Sequence, residues 1–133
     1  MGLVLDTCVL ISAERQGKIT CFDEWQNSEE EVYISVVTAS ELLTGVFRAN
    51  TEARRLKRSA FVETIINEIP IIDFTLEVAR LHAEIYAYLA ERGQLIGAHD
   101  LIIAATALAQ GHGLLTGNYQ EFSRVPGLNV IKL

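Results

Sequence analysis

Proline and cysteine are scarce, and lysine and arginine are outnumbered. The 133 residues contain two prolines and two cysteines. No Pro/Ser-rich linker, internal repeat or low-complexity segment divides the chain. One compact unit covering residues 1–133, long enough for a proper core, is therefore expected. Cys8 and Cys21 lack the C-x-x-C spacing of a zinc or redox pair, and they read as free, buried thiols. No apolar run approaches the ~20 residues that a membrane helix requires. No basic segment precedes the apolar start, so a secretory leader is not expected and a cytoplasmic protein is. The G-x-G-x-x-G and G-x-x-x-x-G-K-[ST] phosphate cradles are also missing. Eleven Lys and Arg face seventeen Asp and Glu, a net charge of −6. That balance argues against gripping nucleic acid over the whole surface.

Apolar residues make up half of the chain and charged residues about a fifth (21%), a globular composition. Charge is unevenly spread. Asp23, Glu24, Glu29, Glu30 and Glu31 crowd one stretch; Arg48, Arg54, Arg55, Lys57 and Arg58 crowd another.

Strands are expected at 2–5, 31–35, 69–72, 114–116 and 128–131, each a short β-branched or apolar run. Helices are expected between them: 7–14 with Thr7 as cap and Gly17 as stop, 18–27, 38–49, 51–67, a long one from Asp73 or Thr75 to Arg92, and 97–110. In the fourth, Leu56, Ala60 and Ile65 or Ile66 should face inward and the basic residues outward. In the fifth, Val78, Leu81, Ile85, Tyr88 and Leu89 share a face. Strands separated by helices make an α/β protein, a parallel sheet covered on both faces. Its ligands bind at the carboxyl ends of the strands.

Three acids sit in apolar surroundings where a strand meets a helix or soon after: Asp6, Glu41 and Asp100. Each alone has a structural explanation, as a cap, an ion-pair partner or a helix-dipole charge. All three together are harder to dismiss. Converging carboxylates repel, and a divalent cation removes that penalty. Mg2+ and Mn2+ prefer such oxygen ligands. A hard cation there suits phosphate chemistry, because it lowers the pKa of bound water and bridges an anionic substrate to an anionic protein. His82, His99 and His112 are scattered and read as packing or surface residues, with His99 beside Asp100. A haloacid-dehalogenase-like phosphatase would want an Asp where Cys8 stands. A cysteine phosphatase would want an Arg where Glu14 stands.

Four stretches in order resemble the PIN-domain ribonucleases, and within them the VapC toxins of toxin–antitoxin pairs. They are Leu5-Asp6-Thr7; Ser40-Glu41-Leu42-Leu43-Thr44-Gly45; Ile96 to Ala107 around Asp100; and Leu115 to Phe122, running into Arg124-Val125-Pro126-Gly127-Leu128. The resemblance implies a PIN-like fold, a central parallel sheet of four or five strands flanked by helices. It implies Mg2+- or Mn2+-dependent endonucleolytic cleavage of RNA. Asp6, Glu41 and Asp100 would hold metal and activate water, supported by Thr7 and Thr116. Relatives often carry another acid in the fourth stretch; here Asn118 and Glu121 are the candidates, and Gly117 stands in place of the more usual Asn. A cognate VapB-like antitoxin covering the acids, with an arginine aimed at them, and a homodimer are further implications. The alternative is a PIN-like module that binds RNA or assembles without catalysis. The basic stretch 48–58 is either an RNA-phosphate contact or a solvated helix face. Phe22, Trp25, Phe47 and Phe61 are expected in the core, with an antitoxin or dimer groove as the other reading.

Overall fold

The computed structural model describes residues 2–17 and 30–133. The expected helix at 18–27, with Cys21, Phe22 and Trp25, lies outside these residues. The described elements run β1 (Leu3–Leu5), α1 (Thr7–Arg15), β2 (Val32–Ser35), α2 (Val36–Phe47), α3 (Glu52–Glu68), β3 (Ile71–Ile72), α4 (Leu76–Glu91), α5 (Ala98–Gln110), β4 (Gly113–Thr116), α6 (Tyr119–Phe122) and β5 (Val130–Lys132). The sheet is parallel throughout, in the order β3-β2-β1-β4-β5.

Alternation along the strands decides which helices cover which face. Val4 and Leu114 point into a core built with Val78, Ile85 and Leu89 of α4, Leu101, Ile103 and Ala104 of α5, and Phe122 of α6. Leu5, one residue on, points the other way with Ile34, into Leu10 of α1, Leu42 and Val46 of α2, and Phe61 and Ile65 of α3. Successive strand side chains face opposite sides, so neighbouring apolar residues feed two different cores. That explains the unbroken apolar reading of Leu3-Val4-Leu5.

Helix starts follow capping chemistry. The side chains of Ser35, Thr51 and Thr75 accept from the N–H groups of Val37, Arg54 and Val78. Because Ser35 caps directly, α2 begins at Val36 rather than Thr38, and Glu41 falls in its second turn. The expected cap Thr7 is instead the first residue of α1, and Asp6 takes the cap position without a capping side-chain bond. Gly17, at φ 65°, follows the end of α1 as expected. The strand at 69–72 shrinks to Ile71–Ile72, because α3 runs on and Ile69 closes it with a bond from its N–H to the Ile65 carbonyl. The short helix α6 carries too few residues for a periodic signal and is absent from the sequence reading.

Five expected burial assignments fail. Leu56 and Ala60 are exposed, since α3 buries only its second half through Phe61, Val62 and Ile65. Phe47, at the end of α2, is 79% exposed. Tyr88 is exposed too, its ring covered on one side by the Arg92 guanidinium 3.5 Å from the centroid. Cys8 is free but exposed, because it stands beside Asp6 at the strand-to-helix junction rather than beneath it.

Candidate acidic site

The carboxyl ends of β1 and β4 lie side by side, with Leu5 opposite Leu115. The Asp6 N–H continues this ladder to the Leu115 carbonyl at 3.0 Å. That bond places Asp6 where β1 gives way to α1, 4% exposed. Its Oδ2 accepts from the buried Thr116 hydroxyl at 2.7 Å and from the Cys8 thiol at 3.1 Å. An acid at a helix cap that does not cap has its charge directed elsewhere. Thr116 also accepts from the Asn118 N–H at 2.9 Å, so the β4–α6 turn is tied to the same carboxylate. The contribution of Asn118 here is its backbone; its side chain makes no cap bond. The Gly117 N–H reaches the Cys8 sulfur at 3.4 Å.

Glu41 enters from α2. Its Oε1 accepts from the Thr7 hydroxyl at 2.8 Å, and its Oε2 lies 3.6 Å from His99 Nδ1. Asp100 enters from the first turn of α5. Gly97 stands before it, and a Cβ there would lie 3.3 Å from Asp100 Oδ2, so the bare backbone leaves the carboxylate its room. Burial and then the charges of Asp6, Glu121 and Glu41 push the Asp100 carboxyl up to about 6, offset in part by His99. Three acids distant in sequence thus act on a fourth. Among the described residues, however, no three His, Cys, Asp or Glu side chains are gathered tightly enough to hold an ion as they stand. The donors are carboxylate oxygens, and the repulsion registered at Asp100 is what a hard divalent cation relieves, so the residue types present fit such an ion.

The basic stretch is mostly occupied locally. Arg54 donates to Asn50 at 2.8 Å and Arg55 to the Ala49 carbonyl at 3.2 Å, both in the α2–α3 turn. Arg48 closes α2, and Lys57 is exposed beside Phe61. Arg58, expected to face outward, is half-buried. It donates to Glu14 at 3.1 Å and to the Gly45 carbonyl at 3.2 Å. Arg58 also lines a pocket of about 150 Å3 that reaches Glu41, with Ile11 and Leu42 as apolar lining and Arg15 as a second cation. His82 packs edge-on against Phe74, and His112 stacks on Tyr33 while accepting from the Gly2 N–H. Only His99 joins the acids.

Sequence reasoning missed three residues here: Cys8, Arg15 and Thr38. Thr38 is fully buried, 3.0 Å from Thr7 Oγ1. Its spacing of three from Glu41 was the available signal, because residues three apart share a helix face.

A parallel five-stranded sheet with acids gathered at its carboxyl edge defines a class. The PIN domain profile matches residues 3–128, and the chain belongs to that family. Within it, the chain is 40% identical over 131 residues to ribonuclease VapC1 of Rickettsia felis, spanning 98% of this chain and 96% of that one. It is 30% identical to the tRNA(fMet)-specific endonuclease VapC of Shigella flexneri, over 96% and 95% of the two chains. A crystal structure of DNA-bound VapBC from Salmonella typhimurium superimposes with a TM-score of 0.86 at 28% identity, covering 99% of this chain and 98% of its own.

Proposed function

We propose that this chain is the toxin of a VapBC-like pair, an endoribonuclease that hydrolyses RNA phosphodiester bonds with Mg2+ or Mn2+. The observation that carries the reading is the placement of Asp6, Glu41 and Asp100 together at the carboxyl edge of the sheet, where Glu41 and Asp100 line one cavity and burial and the neighbouring charges push the Asp100 carboxyl up. Likeness to the VapC ribonucleases over nearly the whole chain supports it.

Asp6, Glu41 and Asp100 would hold the ion, with Glu121 as the acid of the fourth stretch. When bound, a divalent ion supplies a Lewis acid for phosphate oxygens and a nucleophilic water at neutral pH. The chain's own residues do the rest. Thr116 fixes Oδ2 of Asp6, and Thr7 fixes Oε1 of Glu41. Thr116 is fully buried and Thr7 nearly so, which keeps water from competing for these bonds. Asp100, whose carboxyl burial and the neighbouring acids push up, would hold the ion from the first turn of α5, and the ion's charge would offset that repulsion.

RNA phosphate would meet Arg15 and Arg58, which line the pocket that shares Glu41, whereas Arg54 and Arg55 sit in the α2–α3 turn and are no part of that lining. A VapB-like antitoxin covering the acids, and a homodimer, complete the reading. The exposed apolar residues Phe47, Leu56 and Leu76 are compatible with protein partners. Among the described residues no helix is long and apolar enough to cross a membrane. The intact acid trio speaks against a catalytically silent module.

The test is to incubate the antitoxin-free chain with RNA in Mg2+, Mn2+ or EDTA and sequence the cut ends. Cleavage at defined positions, lost in EDTA and in Asp100→Asn, is expected. Cleavage that survives EDTA, or persists in Asp100→Asn, refutes the assignment.

A further inference from the structure

Thr7 Oγ1 lies 2.8 Å from Glu41 Oε1 and 3.0 Å from Thr38 Oγ1. A hydroxyl carries one hydrogen. An ionised carboxylate only accepts, so the Thr7 hydrogen points to Glu41. The contact between the two threonines must then be filled by the hydrogen of Thr38. The order of donation is Thr38 to Thr7 to Glu41. Thr38 is 0% and Thr7 6% exposed, which keeps water from competing for either bond.

The relay bridges separate parts of the fold. Thr7 opens α1 at the end of β1, while Thr38 and Glu41 sit three apart on α2. Ser35, fully buried at the end of β2, anchors the first turn of α2 by accepting from the Val37 N–H at 3.2 Å. Engaging Oε1 has a consequence for the other oxygen. Oε2 is left on the side of His99, 3.6 Å away, and of the rim that Asp100 shares. A hydroxyl that accepts one hydrogen bond donates a stronger one.

We propose that Thr38 is a positioning residue for catalysis: through Thr7 it fixes which oxygen of Glu41 faces the acidic site. This rests on the nuclease reading above. Groups that orient a metal-binding carboxylate from behind typically change ion affinity or activity about 10- to 100-fold.

The experiment compares the full chain with Thr38→Val, Thr38→Ser, Thr38→Ala, Thr7→Val and the double variant Thr7→Val/Thr38→Val. Thermal melting, the Mn2+ dissociation constant by calorimetry, and kcat and KM on one RNA are read for each. Thr38→Val is expected to weaken Mn2+ binding and lower kcat, each about 10-fold, with KM little changed. Thr38→Ser, which keeps the hydroxyl, should restore both. The double variant should be no worse than Thr7→Val, because a broken relay has nothing further to lose. A merely structural Thr38 would lower the melting temperature without this pattern. Wild-type kcat and Mn2+ affinity in Thr38→Val would overturn the proposal. So would Thr38→Ser failing as badly as Thr38→Val, or losses that multiply in the double variant. If Thr38→Val does not fold, Thr38→Ala carries the same expectations. If the parent chain cuts no RNA with any ion, the nuclease reading fails, while the Mn2+ affinities still decide the relay.

Discussion

Asp100→Asn should make the metal-free protein more stable at neutral pH while ending its activity. The Asp100 carboxyl rises from 3.8 to about 6 in the fold, so the folded state holds this proton more tightly than the unfolded chain does. At ~1.36 kcal/mol per unit, the full shift has a ceiling of about 3 kcal/mol against the ionised form. Solvent reaches part of the carboxylate, and screening reduces this to about 1–2 kcal/mol. Asn also forfeits the attraction of a first-turn acid for the helix N-terminus, about 0.5 kcal/mol. The net gain is then about 1 kcal/mol. With an unfolding entropy near 0.28 kcal/mol/K for a chain of this length, the melting temperature should rise about 4 °C at pH 7.5 in EDTA.

The pH dependence carries the sign. Below pH 3.8 both states are protonated and this contribution vanishes. Between about 4 and 6 the unfolded chain gives up its proton while the folded one keeps it, so wild-type stability falls as pH rises. Above 6 the penalty is complete. The advantage of Asn should therefore be largest at pH 7.5 and shrink to about a third of its electrostatic part by pH 4.5. Melting curves for both proteins at these two pH values, in EDTA, are sufficient. An advantage that is absent at pH 7.5, or equal at the two pH values, would show that burial and the neighbouring acids do not burden the ionised Asp100 carboxylate.

Millimolar Mn2+ or Mg2+ should raise the melting temperature of the wild type above its EDTA value, and that of Asp100→Asn much less, because an ion bound only by the fold stabilises it; equal shifts would remove Asp100 from the ion's ligands. Replacing Arg15 and Arg58 by Gln should weaken RNA binding and flatten its salt dependence more than replacing Arg54 and Arg55, as followed by binding titrations across salt concentrations; the reverse ranking would move the RNA path to the α2–α3 turn. Phe122→Ala, at a fully buried position, should cost about 3–5 kcal/mol in urea unfolding, and a loss below 1 kcal/mol would mean that α6 does not seal its core.

Much of the fold was legible because its signals are local. Short β-branched runs marked the strands, and Thr51, Thr75 and Gly17 marked helix ends through chemistry that involves only near neighbours. The failures share a cause. Leu56, Phe47 and Tyr88 have the composition of core residues, but whether a helix face is covered depends on what packs there. Cys8 failed in the same way, since one position past Asp6 the chain has already turned outward.

The order of apolar and polar residues by itself determined the alternation of strand and helix, and hence a parallel sheet with its acids at the strand ends. Period-two and period-3.6 patterns are properties of the chain. Only the tertiary structure decided that Thr7 serves Glu41 rather than capping its own helix, that Thr38 stands behind it, and that Arg58 pairs with Glu14. A hydrogen bond depends on distance and direction between groups 31, 34 or 44 residues apart, and those are decided only when the helices dock on the sheet.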